Sequence, residues 1–383
     1  FAVNSAVSLD KALNGLAAST GASTGEMKAY ETVLKKVYAN NYGENFQSIA
    51  DTMSVVRQQM DGISTADMQA LTEAAFAFED ISGYSPEESL RAANSLMNQF
   101  GITAEEAYNL MVQGQQQGLD FSGELLDSIN EYAPQFKKMG FSAEDMFNIF
   151  KSGAESGAFN LDKIGDAVKE NAIRVIDLSK STTSAFTSLG LDASKLTAEF
   201  GAGGKTAEKA FQKVMVGLQS IEDPVKRNEI GTALWGTMWE DLGETVILSS
   251  ADMTDSFDQT AESIKKVQEV KYDDLGSMFD GLKRSVEMLV LPLGEELIPT
   301  LSDLIQDVLP VIQDVLPDVI DLFGDFLEPV LGLAKEALPA LTELLTMLMD
   351  TTLKQLGEDL LPVLKDAFTT LKEPLEKLIT EAL

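Results

Sequence analysis

The chain of 383 residues is 44% apolar, carries a formal net charge of −32 and contains neither histidine nor cysteine. Without imidazole and thiol groups it cannot form a Ser/His/Asp triad, a Cys/His nucleophile pair, a zinc site of the usual ligands or a disulfide. The charge repels nucleic-acid phosphates and no basic patch with interleaved aromatic residues occurs, so no specific nucleic-acid binding is expected. We predict no catalytic, cofactor-binding or metal-binding residues, and no cofactor.

The sequence predicts an all-α fold, in which an array of capped helices and helical hairpins is followed by a proline-kinked amphipathic helical rod. Apolar residues recur at helical spacing, no strand alternation stands out, and no window approaches the 18 or so apolar residues of a membrane span. The chain begins at Phe1 rather than Met, which is typical of an excerpt or a processed piece of a longer protein. Helices are expected over residues 26–40, 44–60, 65–80, 86–99, 104–117, 123–138, 143–156, 161–179, 205–220, 224–240 and 255–280.

Three helix starts use the same capping device. In each, a glycine able to adopt the left-handed conformation ends one helix, a hydroxyl residue caps the next, and an acid follows three residues later. Each cap should contribute roughly 1 kcal/mol to helix stability. The three sets are Gly83, Ser85 and Glu88; Gly101, Thr103 and Glu106; and Gly140, Ser142 and Asp145.

Two short motifs resemble enzyme signatures, and we interpret both as connections between helices. Residues 200–206 end like a phosphate-binding loop, but Glu199 stands where the first glycine is required and helical sequence precedes the loop where a strand is needed. Lys205 is therefore expected among the first residues of the next helix. Glu155 lies in a Glu-Ser-Gly stretch that resembles the surroundings of the catalytic acid in soluble lytic transglycosylases, yet their downstream Gly-Leu-Met-Gln stretch is missing.

Two further features concern a break in the chain and the packing of an aromatic pair. The Ser/Thr/Gly-rich segment 179–204 is the best internal break in the first part of the chain. Trp235 and Trp239 are one helical turn apart, and we interpret them as a packed aromatic face rather than a ligand site.

The stretch 285–334 carries ten carboxylates and no Lys or Arg. Its apolar residues step by three or four positions, which puts them on one stripe of a helix, and its prolines are spaced so that any kinks fall on one side. A helix with this much exposed leucine would aggregate alone, so we predict that the chain self-associates through the stripe of residues 285–350. The regular part of the stripe comprises Leu301, Leu304, Val308, Ile312, Val315, Val319, Leu322, Phe326, Val330 and Leu333.

Several blocks stand out in combination, namely 85–107, 124–127, 131–132, 140–144, 157–170, 173–174, 203–204 and the stretch Leu234-Trp-Gly-Thr-Met-Trp-Glu-Asp-Leu-Gly243. Together they resemble the core region of the tail tape measure proteins of long-tailed bacteriophages. The resemblance covers roughly residues 60–250, and its most specific parts are 162–174 and 234–243.

The resemblance implies a structural role, in which several parallel copies run along the lumen of the tail tube, set the length at which tube polymerisation stops and leave ahead of the DNA. The implied partners are further copies of the chain, the tube protein, tail tip or baseplate proteins and, on ejection, the host membrane. The implied location is the virion tail after assembly in the host cytoplasm, and the host envelope during infection.

This interpretation divides the chain into N-terminal helices (1–59), the tape measure core region (60–250), a connecting helix (251–282) and acidic, proline-punctuated amphipathic helices (283–383). Two alternatives stay open. A helical membrane-active or pore-forming protein would also use the apolar stripe, although interfacial helices usually carry Lys and Arg beside anionic lipid. A cell-wall hydrolase rests on Glu155 alone.

Overall fold

The computed structural model describes residues 2–60, 62–251, 255–270 and 274–295, and over these ranges it contains sixteen helices and no strand. The all-α prediction is therefore confirmed. Contacts between residues divide the chain into two units, Phe1–Ile298 and Pro299–Leu383, and the described residues belong to the first. The stripe of residues 301–333, and most of the predicted rod, lie outside the described residues.

The helices are numbered in chain order. They are α1 Ala2–Thr20, α2 Thr24–Ala39, α3 Phe46–Gln59, α4 Thr65–Ser82, α5 Pro86–Phe100, α6 Ala104–Gln116, α7 Leu125–Met139, α8 Ala143–Glu155, α9 Leu161–Arg174, α10 Lys180–Ser188, α11 Ala193–Ala202, α12 Gly204–Gln219, α13 Pro224–Trp235, α14 Thr237–Ser249, α15 Ser263–Glu269 and α16 over 275–295.

One contiguous apolar core runs through these helices. Helix α1 packs against α3, helices α5 and α9 pack against α7, and α13 and α14 pack against α9. The centre of the core is aromatic, since the ring of Phe136 lies 5.9 Å from that of Phe141 and 5.3 Å from that of Phe150, with all three side chains buried. Pairs of this kind add about 0.5–1.5 kcal/mol beyond the burial of their area.

All three predicted capping devices are present. Gly83, Gly101 and Gly140 adopt the left-handed conformation at the ends of α4, α5 and α7. In the following helices the hydroxyl of the cap accepts the third backbone N–H, and the acid at that position accepts the N–H of the cap, which completes a capping box at all three sites. The sequence therefore fixes these boundaries locally.

Two helical regions escape the sequence pattern. Helix α1 is built on Ala6, Leu9, Ala12 and Leu16, which are at most 2% exposed, but its alanines give only a weak apolar signal. The predicted break over 179–204 is wrong, because this segment forms α10 and α11. Ser179 and Asp192 cap the two helices, and buried apolar side chains outweigh the polar composition.

Three predicted helices end early or divide. Helix α9 stops at Arg174, and the predicted helix 224–240 divides at Gly236, which has a φ of 58°. Trp235 therefore ends one helix and Trp239 lies in the next. The predicted helix 255–280 is interrupted, because residues 255–262 form a non-helical segment with a turn at 259–260 before α15. We call this segment the strap. Helix α14 contains a further interruption at Gly243.

Candidate functional site

Helix α16 lies across the N-terminal helices and is attached to them mainly by polar contacts. Arg284 donates hydrogen bonds to the carbonyl oxygens of Tyr42 (2.7 Å) and Gly43 (2.6 Å), and its guanidinium lies 4.7 Å from the ring centre of Tyr38. The loop between α2 and α3 thus presents two carbonyl groups to a cation on α16. Charge-assisted bonds of this kind are stronger than neutral ones.

Glu287 extends this contact one turn further. Its carboxylate accepts hydrogen bonds from the hydroxyl of Tyr38 at 2.8 Å and from the hydroxyl of Ser5. Burial, and then the hydrogen bond to Glu287, raise the pKa of Tyr38 to about 12, so the phenol stays protonated and donates at neutral pH. One carboxylate therefore connects α16 to both α1 and α2.

A third connection lies at the end of the described part of α16. Lys35 is 2.8 Å from Glu295 and 2.7 Å from Glu31. Burial acts to lower the pKa of Lys35, but the hydrogen bonds to the two carboxylates outweigh it and the pKa is raised. Only Leu291 among the large apolar residues of the described part of α16 is fully buried, at 1% exposed.

The opposite face of α16 is apolar and exposed. At about 100° per residue its large side chains fall within a stripe roughly 100° wide, about half a turn away from Arg284 and Leu291. They are between 45% and 74% exposed. Residues Leu275, Met278, Phe279, Leu282, Val286, Leu289 and Leu293 form this surface, which we call the apolar face of α16.

The two most specific sequence blocks meet in the core, where α9 contacts α13 and α14. Asn171 donates a hydrogen bond to the carbonyl of Leu234 at 3.0 Å, and Lys163 lies 3.2 Å from Asp241. A side chain at Gly236 would reach within 2.7 Å of the guanidinium of Arg174. The blocks therefore encode one close helix junction.

The tryptophan pair belongs to the same junction. Trp235 and Trp239 are each 2% exposed, with ring centres 6.0 Å apart, and the indole N–H of Trp239 donates to Asn228 at 2.8 Å. The ring of Trp239 lies against the backbone of Gly231, since a Cβ at position 231 would be only 2.2 Å from that ring. The pair packs as predicted, although across the break at Gly236 rather than along one helix.

The glycine-rich loop at 200–206 is a helix junction as well. Helix α11 precedes it, Lys205 lies in the first turn of α12 as predicted, and its ammonium is 3.1 Å from Glu208. A Cβ at Gly140 would lie 2.0 Å from the carbonyl oxygen of Gly204. The glycines therefore let the ends of α7 and α12 touch.

Glu155 is the last residue of α8, pairs with Lys151 and keeps 65% of its side chain exposed. Among the described residues, no group of three or more acidic side chains could hold a metal ion. A cleft of about 580 Å³ beside α16 is lined by Glu44, Asp51 and Asp280 together with the guanidinium of Arg284.

Comparison with known proteins shows which family this arrangement of helices belongs to. The sequence profile of the phage-related minor tail proteins matches residues 36–236, which is more than half of the chain. The chain belongs to this family.

Two curated relatives extend the match. A probable tape measure protein of Streptomyces phage phiC31 is 29% identical over 210 residues, which is 52% of this chain and 29% of that protein. An uncharacterised protein of Bacillus subtilis strain 168, YqbO, is 26% identical over 270 residues, or 70% of this chain and 17% of that protein. The chain thus spans less than a third of the length of either relative. No solved structure matches it.

The family match runs from the end of α2 to Gly236, so it contains α9 and α13 of the helix junction but not α14, the strap or α16. Within the described part of the chain, no helix is both long and apolar enough to cross a membrane. The polar attachment of α16 is the feature that the sequence pattern does not indicate, because Arg284 and Glu287 bind partners about 240 and 280 residues earlier in the chain.

Proposed function

We propose that this minor tail protein is a segment of a tape measure, a scaffold and length ruler in the lumen of a phage tail tube. Several parallel copies associate along the tube, contact the tube protein and the tail tip or baseplate, and are ejected before the DNA. The family match and the phiC31 relative support the tail location. A charge of −32 would keep such a filling from binding the DNA behind it.

The self-association is supported by the difference between the two faces of α16. One face is held on α1 and α2, while the apolar face of α16 stays exposed on the other side. The same spacing of apolar residues continues in the sequence from Leu301 to Leu333. A monomer rarely presents a row of large apolar side chains without a partner. The domain division 1–59, 60–250, 251–282 and 283–383 stays a proposal, and its last boundary falls inside α16.

The association is tested by changing Leu282, Val286 and Leu289 together to Ser. The parent chain should sediment as oligomers and the variant as a monomer of unchanged helix content. A matched control changes three exposed apolar residues on other helices, Ile173, Val216 and Val225, to Ser and should leave the oligomers intact. A parent protein that is monomeric at 100 µM would contradict the proposal. So would equal masses for the parent and the variant in which the three residues of the apolar face are changed to Ser.

The ruler is tested in assembled tails by deletion in the predicted helical stretch after α16. Removing the 18 residues 301–318 takes out five helical turns, keeps the apolar stripe in phase and should shorten the tube by about 27 Å. Removing 16 residues would rotate the following stripe by about 160° and should impair assembly as well. A tail of parental length after the in-phase deletion would show that this stretch is not part of the ruler.

A second candidate function is membrane activity, and the exposed apolar face of α16 favours it. This function is tested by the leakage of dye from vesicles of anionic lipid at neutral and acidic pH. Leakage caused by the parent chain, but not by the variant with Leu282, Val286 and Leu289 changed to Ser, would support membrane activity over the ruler. We also infer that the chain is not an enzyme. Glu155→Gln should leave any peptidoglycan-degrading activity of the purified chain unchanged, and a loss of such activity would contradict that inference.

A further inference from the structure

The strap is bound to the preceding helices through its main chain. Asn109, Gln113 and Gln117 are four residues apart, so they project from one side of α6. The amide of Gln113 accepts the N–H of Asp258 at 3.0 Å and donates to its carbonyl at 2.8 Å. Asn109 and Gln117 donate to two more carbonyl groups of the strap, each at 3.0 Å. One row of amide side chains thus fixes the course of the strap.

Helix α8 and the apolar core complete this anchor. Asn148 and Glu144 on α8 accept two further N–H groups of the strap, both at 3.0 Å. Phe257 in the strap and Ile264 in α15 are 5% and 3% exposed, so two buried apolar side chains add to the hydrogen bonds. Asn109 and Asn148 are buried as well. Departure of the strap would therefore take partners from two enclosed amides, which is costly.

Helix α16 is held in a different way. Among the large apolar residues of its described part, only Leu291 is fully buried. Beside the helix lies the cleft of about 580 Å³, which is lined by Glu44 and Asp51 from the α2–α3 region and by Asp280 from α16. Carboxylates thus line the cleft from both sides, and their charges repel each other. This part of the contact is an open, largely polar gap, unlike the close packing of a protein interior.

The groups on α1 and α2 that bind α16 have other partners when that helix leaves. Lys35 lies 2.7 Å from Glu31 as well as 2.8 Å from Glu295, so it keeps one carboxylate after the other has gone. The hydroxyl groups of Ser5 and Tyr38 are both bound to a carboxylate of α16, so departure of the helix opens them to water. Exchange of a protein hydrogen bond for one to water costs far less than a buried group without a partner.

We propose that α16 is a releasable arm, which leaves α1 and α2 while the strap and α15 stay bound to α4, α6 and α8. A released population of about 0.1–10% is typical of a local opening of this kind. Release adds Met288 and Leu291 to the exposed apolar residues of the helix, so the arm then presents apolar side chains on both faces. The proposal concerns the single chain and does not rest on the proposed function.

The release is tested by distances between pairs of spin labels. The chain has no cysteine, so labels can be attached to cysteines introduced at exposed lysines. The first pair, Lys28→Cys with Lys283→Cys, connects α2 to α16, and the second pair, Lys28→Cys with Lys266→Cys, connects α2 to α15. All chains also carry the three Ser substitutions of the apolar face of α16, so that self-association does not contribute. Without further changes, each pair should give one main, narrow distance.

Changing Arg284 and Glu287 together to Ala should raise the broad component of the first pair at least tenfold and leave the second pair narrow. A matched control changes Met278 and Ser285, two exposed residues of α16, to Ala and should leave both pairs as they are. Unaltered distances for the first pair in the Arg284 and Glu287 variant would overturn the release. Broadening of both pairs would overturn the anchored strap, and neither result bears on the ruler.

Discussion

The junction of α9 with α13 and α14 and the attachment of α16 are built by opposite means. In the junction, glycines let buried aromatic rings and backbones approach closely, as Gly231 does for Trp239. In α16, side-chain hydrogen bonds hold one face and the other face has large exposed apolar residues. The junction therefore has no room for an added side chain, whereas α16 has one attached face and one exposed face. Substitutions in the junction should change the stability of the whole fold, and substitutions in α16 should change only the attachment of that helix.

The largest effect is expected at Gly231. A Cβ there would meet the ring of Trp239 at 2.2 Å, and the ring is enclosed by the core, so Gly231→Ala should destabilise the fold by about 3 kcal/mol. Urea unfolding followed by circular dichroism measures this. Gly15 in α1 is the matched control, since its nearest neighbour would be 3.5 Å away, and Gly15→Ala should stabilise the helix by up to about 1 kcal/mol. Similar stabilities for the two variants would refute the close-packed junction.

A smaller and local effect is expected at Arg284. Arg284→Ala removes the hydrogen bonds to the carbonyls of Tyr42 and Gly43 and the contact with the ring of Tyr38, which together contribute about 2 kcal/mol to the attachment of α16. Amide hydrogen exchange over 275–295 should accelerate by about tenfold or more, with α7 and α9 unchanged. Lys283→Ala, at an exposed neighbouring position, should leave exchange in α16 as it is. Faster exchange throughout the chain would mean that the two regions are not separable.

The same contrast explains how far the sequence could predict the structure. Capping signals such as Gly140 with Ser142 are local, and they gave the helix boundaries. The strap could not be predicted in this way, because its main-chain groups bind side chains more than 100 residues away, and the same residues read as helix in isolation. The spacing of Asn109, Gln113 and Gln117 was the available signal, but a polar row on a helix usually faces solvent.

The candidate site was predictable only in part. The apolar spacing that continues past residue 285 pointed to a stripe in need of a partner, and the described part of α16 has such a stripe. That Leu291 is buried while Leu289 is exposed follows from contacts with distant helices. The specific blocks 162–174 and 234–243 signalled a family, and the structure explains them as packing at one junction.

The smallest effect concerns the response of α16 to alkaline pH. Burial and the hydrogen bond to Glu287 raise the pKa of Tyr38 to about 12, above the ordinary value of 10. Because the raised pKa belongs to the folded state, this contribution to the attachment is fully present below pH 10 and is lost as the pH rises towards 12. The pKa of Lys35 is raised too, so the loss of its bond to Glu295 has the same sign.

Tyrosinate absorbance, taken as the difference between the parent chain and Tyr38→Phe, should show one group titrating near pH 12. The same absorbance difference, measured between chains that both carry Arg284→Ala, tests whether α16 stays attached without Arg284. The positive charge of Arg284 lowers the pKa of Tyr38, so if α16 stayed attached without that charge the midpoint would move upward. If α16 detaches, Tyr38 loses Glu287 and the part of its burial that α16 provides, and the midpoint should fall towards 10. We expect the fall, and an upward shift would show that Glu287, Lys35 and Leu291 hold the helix without Arg284.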